Sequence, residues 1–268
     1  MKRLPTVADL RALKGQKQLT MLRYFSLEEA AAAEEAGIDI ASVPPELLFH
    51  PRYREVALSV FSMTGQTHAE CGHPDDYLRW CNDALVKGAD ALYCSGSLAT
   101  VERLAREYVP VVGHVGLVPA RATWTGGFRA VGKTAEAAMG LYREVKAYED
   151  AGAFAIELEV VPEKVATAIS ARTSLLVWSM GAGAGCDAQY LFASDILGAV
   201  EESGGRIPRH AKAYRDFQAE FDRLQRERVA AFGEFRDDVA SGAFPAADHL
   251  VPMADGEWEA FAEALDKE

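Results

Sequence analysis

Apolar and polar positions along the chain switch between two periods. Short apolar runs of strand length at 18–22, 38–43, 58–63, 91–94, 109–112, 153–162, 175–179 and 190–193 alternate with amphipathic stretches at 7–13, 27–36, 45–56, 74–87, 98–107, 134–151 and 163–171. Punctuation agrees with that division: Ser26 stands where a helix N-cap is needed, and Gly37 where the same helix ends. Strand and helix alternate eight times with no break in composition, which predicts an α/β protein with a closed (β/α)8 TIM barrel over 1–205 and right-handed crossovers. The pattern then changes. A long charged helix is expected at 209–235 and another at 257–267, so 206–268 reads as extra C-terminal helices packed on the barrel or on a neighbouring subunit.

Barrels of this kind place their chemistry at the carboxyl ends of the strands. Reading those ends gives Arg23 and Tyr24, then Pro44-Pro45-Glu46, then 64–68. Tyr93, Cys94, Ser95 and Ser97 follow, then His114, Glu159, and Ser179-Met180. The centre of interest is Ala153-Phe154-Ala155-Ile156-Glu157-Leu158-Glu159-Val160-Val161-Pro162, an apolar run carrying two carboxylates, the second at its end, with Pro162 opening a helix. Two readings of it stand. Glu159 is a catalytic acid at a strand end, or Glu157 and Glu159 are paired structural acids or the wet face of an edge strand. His114 likewise reads as a structural imidazole or as a substrate-facing one, and the glycines on either side, Gly113 and Gly116, favour the second by allowing close backbone approach.

Two glycine-bearing segments change the picture less. The run Gly181-Ala182-Gly183-Ala184-Gly185 lacks the helix that a dinucleotide fingerprint opens, and reads as a plain turn or as an anion-binding backbone-amide loop. The loop 124–133 is long for a β/α connection and reads as a lid, an oligomer contact or a mobile segment.

Charge and cysteine usage bound the partners. With 28 Lys+Arg against 40 Asp+Glu, the 268-residue chain carries −12, which argues against nucleic acid or an anionic membrane surface and for a small-molecule partner. Cys71, Cys81, Cys94 and Cys186 show no CxxC spacing and read as reduced thiols of a cytoplasmic protein. The opening residues lead into a polar helix instead of an apolar signal core, and no run reaches membrane-span length.

Further motifs occur in a fixed order: Val112-Gly113-His114-Val115-Gly116-Leu117-Val118-Pro119, Gly126-Gly127-Phe128-Arg129-Ala130-Val131-Gly132, Glu159-Val160-Val161-Pro162, Met180-Gly181-Ala182-Gly183, Asp195-Ile196-Leu197-Gly198 and Pro208-Arg209-His210-Ala211-Lys212-Ala213-Tyr214. Together they resemble the ketopantoate hydroxymethyltransferase family, from about Thr20 to Leu250. The resemblance implies a barrel of the phosphoenolpyruvate mutase and isocitrate lyase type and a homo-oligomer, with a decamer as the family's form. It also implies a magnesium-chelated 2-oxo acid that loses a proton from C3 and attacks a one-carbon unit from methylenetetrahydrofolate. By the same resemblance, Glu159 corresponds to the catalytic base and His114 to a substrate-pocket histidine.

The front half departs from that family. The positions matching its three metal-binding carboxylates are Pro45, Gly65 and Ser95, which makes magnesium doubtful; Glu46 is the one acid nearby. Arg23, His50, Arg52, Arg54 and His68 are candidate cationic substitutes, Arg23 the best placed because it ends a strand. The expected substrate-binding set is therefore His114, Tyr93, Ser95, Glu46 and Arg23, with Glu159 catalytic. The function expected is aldol-type hydroxymethyl transfer to a small 2-oxo acid, from methylenetetrahydrofolate or formaldehyde. A carbon–carbon lyase running the retro-aldol direction and a non-catalytic barrel subunit are the alternatives.

Overall fold

The computed structural model describes residues 3–65 and 71–267. Its strands are β1 (Leu19–Arg23), β2 (Ile40–Ser42), β3 (Phe61–Thr64), β4 (Ala91–Tyr93), β5 (Val111–Gly116), β6 (Ala155–Glu159), β7 (Leu176–Met180) and β8 (Ala188–Phe192). Each pairs in parallel with the next and β8 closes on β1, so the sheet has no open edge. Helix α1 (Val7–Ala12) precedes the barrel, α2 (Leu27–Ala36) follows β1, and α3 (Pro45–Leu48) and α4 (Tyr53–Val56) stand between β2 and β3. Then come α5 (Pro74–Val86) and α6 (Leu98–Arg106). A 3-10 turn at Pro119–Arg121 leads into α7 (Ala122–Thr125) and α8 (Ala135–Asp150), and α9 (Glu163–Ser170) and α10 (Ala193–Leu197) complete the unit.

Caps explain several boundaries. Thr6 and Asp9 form a reciprocal capping box on α1, and Ser26, Ser97 and Thr134 cap α2, α6 and α8 through their hydroxyls. Side chains alternate across the sheet. Leu19, Met21, Ile40, Phe61, Met63, Val112, Phe154, Leu176, Trp178 and Tyr190 fill the interior together with Leu10 of α1. Val111, Val115, Ile156, Leu158 and Val177 instead pack against Leu104, Val145, Ala166 and Ile169 of the surrounding helices.

Three expectations need correction. The single helix expected at 45–56 is two short ones, because Pro51 cannot continue a helix and disfavours helical backbone at His50 before it. The fifth strand, expected to end at 112, runs on to Gly116, so His114 lies within it. The tail helix expected at 209–235 is α11 (Phe217–Ser241), which starts where the Asp216 carboxylate accepts the Ala219 N–H. The segment 181–187 joins β7 to β8 without a helix, the turn expected of it, and is held by Gln18 on the Ala184 carbonyl and Gln189 on the Gly183 carbonyl.

The chain divides into two compact units between Arg215 and Asp216. In the second, α11 and α12 (Asp255–Leu265) contain no buried residue. Cys71, Cys81, Cys94 and Cys186 are all buried. Among the described residues no helix is long and apolar enough to cross a membrane.

Candidate active site at the barrel mouth

The site begins with strand periodicity. Ala155 belongs to the interior layer, and Glu157 and Glu159 follow it at intervals of two, so both carboxylates stand on the inner wall above the apolar filling. Parallel register sets His114 beside Glu157 and Gly116 beside Glu159. The imidazole lies between the two acids, with Nδ1 3.7 Å from Glu157 and Nε2 3.1 Å from Glu159.

Tyr93 orients the ring. Its hydroxyl is 2.7 Å from His114 Nδ1, and burial, with Glu157 near it, holds the phenol far above its ordinary range. Tyr93 therefore keeps its proton, and with the phenol as donor to Nδ1 the neutral ring carries its hydrogen on Nε2. That Nε2 makes no hydrogen bond although it is buried: the Glu159 oxygen is close but off the N–H line. A buried donor without an acceptor is costly, and a substrate oxygen would satisfy it. Glu157 differs from an ordinary surface acid. Burial first of all, and Glu159 beside it, push its carboxyl up to about 7 against the pull of His114 and Arg23.

The backbone here is tightly constrained. A Cβ at Gly113 would come within 2.4 Å of the Tyr148 ring, and one at Gly116 within 2.3 Å of the Glu159 carbonyl oxygen. The close approach that the flanking glycines implied is thus present on both sides of His114. Val160, directly after Glu159, adopts φ +50°, a left-handed conformation rare for a β-branched residue.

Arg23 comes from the opposite side of the barrel. It ends β1, and register places Ser42 and Phe192 beside it. Its Nη1 donates to Ser42 Oγ at 2.9 Å, and its guanidinium lies 5.4 Å from the centroid of the Phe25 ring and 5.8 Å from that of Phe192. These groups surround a cavity of about 580 Å³, within the range usual for small-molecule sites. A second groove, of about 490 Å³ between α8 and α9, is lined mostly by apolar side chains with Lys164 and Arg172 and gathers no acid–base pair.

Of the residues expected from sequence, Arg23, Tyr93, Ser95, His114 and Glu159 line the cavity. Glu46 does not. Pro44 and Pro45 start α3 directly after β2, so Glu46 rides exposed on that helix's first turn. Arg54 is engaged by the Gly88 carbonyl and by Asp90 at 2.7 Å, and His50 and Arg52 are exposed. His68 lies outside the described residues. The sequence reading left Glu157 ambiguous and passed over Ser42, Tyr190 and Phe192; a count in steps of two inward from Glu159 reaches Glu157, whereas the expected ends Val43 and Ala193 have the opposite parity to the other three.

Among the described residues the donor set does not fit the magnesium ion that the family resemblance implies. Pro45 and Gly65 carry no ligand atom, Ser95 carries only a hydroxyl, and among the described residues no group of three or more His, Cys, Asp or Glu could hold a metal ion. Space is lacking as well, since a Cβ at Gly65 would lie 2.8 Å from Tyr93 Cβ and 2.9 Å from its ring.

Comparison with known proteins bears on this geometry. The family model for ketopantoate hydroxymethyltransferase matches residues 72–247. The chain is 35% identical over 286 residues to 3-methyl-2-oxobutanoate hydroxymethyltransferase of Nitratidesulfovibrio vulgaris (strain DP4), covering 98% of this chain and 90% of that one. It is 33% identical to the enzyme of the same name from Pyrobaculum calidifontis, covering 94% and 99%. Among solved structures, a Burkholderia cenocepacia J2315 chain described as a phosphonomutase superposes with a TM-score of 0.57 at 14% identity, over 75% of this chain and 98% of that one. That likeness is one of fold, the closed parallel barrel. The chain belongs to the ketopantoate hydroxymethyltransferase family.

Proposed function

We propose that this protein transfers a hydroxymethyl group to C3 of a small 2-oxo acid through an enolate, with Glu159 as the base. The observation that carries the reading is the pairing, at the mouth of one cavity, of the Glu159 carboxylate with the unsatisfied Nε2 of His114. Glu159 takes the C3 proton, the C–H electrons move into the carbonyl, and a hydrogen-bond donor meets the charge that develops on oxygen. The enolate carbon then attacks formaldehyde, supplied free or by hydrolysis of methylenetetrahydrofolate to tetrahydrofolate, and the alkoxide formed takes up a proton to give the hydroxymethyl group. The curated relatives are named for hydroxymethyl transfer to 3-methyl-2-oxobutanoate, which makes that acid the first substrate to test. We further propose a cytoplasmic homo-oligomer, in line with the apolar side chains that α11 and α12 leave exposed and readable by light scattering.

Proton abstraction can be read without the second substrate. In deuterium oxide, the protein should exchange the C3 proton of 3-methyl-2-oxobutanoate, and formaldehyde or methylenetetrahydrofolate should then yield the hydroxymethylated acid. Glu159→Gln should slow exchange by about 10²- to 10⁴-fold. Absence of both exchange and transfer across a panel of 2-oxo acids would overturn the proposal, and release of formaldehyde without any forward transfer would identify a lyase.

A further inference from the structure

We infer that Arg23 takes over the work of the missing metal, its guanidinium fork binding the carboxylate and 2-oxo oxygens of the substrate, so that the site holds its 2-oxo acid without a divalent cation. This rests on reading the cavity as a 2-oxo acid site. The first support is that the room for a metal ligand is already filled. Tyr93 occupies the space a side chain at position 65 would need, so Gly65 and Tyr93 belong together as one wall.

The second support is how the cation is held. Arg23 lines the cavity, and among the described residues no carboxylate lies within ion-pair distance of it. It is fixed instead by neutral contacts: Ser42 Oγ accepts from Nη1, the Tyr190 hydroxyl reaches both Ser42 and Arg23, and the Phe25 and Phe192 rings flank the guanidinium. A guanidinium has five N–H donors in a rigid plane, and these contacts leave several of them for a ligand. Two adjacent oxygens on a planar 2-oxo acid match such a fork as they match a chelated ion.

The third support is charge balance. Glu157 is the carboxylate whose field acts on Arg23, and burial keeps much of it protonated near neutral pH, so the guanidinium charge stays available to an anion. Glu159 and His114 face the same space from the opposite wall, where the proton is to be removed.

The test is calorimetric titration of the full chain with 3-methyl-2-oxobutanoate, in excess chelator and again in saturating magnesium, beside the deuterium exchange assay. Wild type is expected to bind equally in both media. Arg23→Ala should weaken binding about 10- to 100-fold, and Arg23→Lys should recover only part of it, because a point charge cannot bridge two oxygens. Free guanidinium, far below unfolding concentrations, should restore binding to Arg23→Ala but not to wild type, a response that a purely structural role would not produce. Circular dichroism and melting of each variant identify any loss of fold, and in that event Arg23→Lys and the chelator comparison decide. Binding that requires magnesium, or unchanged binding in Arg23→Ala, overturns the inference while the hydroxymethyltransferase reading stands. Binding through Arg23 with no exchange or transfer overturns that reading alone, and no binding in either medium overturns both.

Discussion

At the scale of single residues, the position of Glu159, the proposed base, depends on backbone more than on side-chain contacts. Glu159 is followed by Val160 at φ +50°, a conformation of the sort that costs about 1–3 kcal/mol and is retained where surrounding structure imposes it. Two hydrogen bonds impose it here: the Val160 N–H donates to the Met180 carbonyl, and the Val160 carbonyl accepts from Val131. On the other side Gly116, at φ +96°, allows the Glu159 carbonyl to approach so closely that a methyl group would fall 2.3 Å from its oxygen. Gly116→Ala is therefore expected to push β6 outward, costing about 1–3 kcal/mol as overpacking does and slowing C3 exchange at least about tenfold. Gly127→Ala is the control, since that glycine also has positive φ but nothing within 4 Å of its missing Cβ. Urea melts with exchange rates on both variants check it; equal exchange in the two would mean that Gly116 does not set the position of Glu159.

At the scale of elements, what could be read from sequence follows how strongly each strand alternates. β1 and β7 carry large apolar side chains on both faces, and their runs were legible to within a residue, whereas β6 has Ile156 and Leu158 outward but only Ala155 and the two acids inward. β5 was cut short because Gly113 and Gly116 resemble strand breakers, whereas the structure uses them for contact with Tyr148 and Glu159. Glu157 was ambiguous because strand length alone does not say which face is the interior; the register with β7 settles it by setting Glu157 beside Trp178. Glu46 was misplaced for want of knowing that α3 begins at once, and Arg23 was legible because a cation ending an apolar strand has few other uses. The same register makes Trp178 the floor under the acids. It is fully buried, its ring 5.9 Å from that of Phe154. Trp178→Ala should destabilise the barrel by about 3–5 kcal/mol in denaturant titrations, and Trp178→Phe by clearly less. Near-equal losses would mean that this interior layer relaxes instead of supporting the site.

At the scale of the whole molecule, the buried acid that leaves Arg23 its charge also sets how stability responds to pH. Glu157 titrates near about 7 in the fold and near 4.5 when unfolded, so between those values the folded chain binds more protons than the unfolded one. Stability must then fall as pH rises through that window, by on the order of 3 kcal/mol in total, and level off above it. Desolvation raises Asp90 as well, which adds loss in the same direction, and a net charge of −12 at neutral pH adds self-repulsion. Glu149 acts oppositely and elsewhere. Despite some burial, its bonds with Lys146 and Ser174 lower it to about 2, so its contribution is complete above 4.5 and disappears only as pH falls towards 2. The optimum should accordingly sit near pH 5, and the decline from there to pH 7 should be much flatter in Glu157→Gln, which cannot ionise, while the acid limb stays unchanged. Denaturant titrations of both proteins at pH 4, 5, 6, 7 and 8 separate this from the general charge effect, which the two share. Parallel curves above pH 5 would mean that Glu157 is ionised in the fold, and its negative field would then offset part of the guanidinium charge across the cavity.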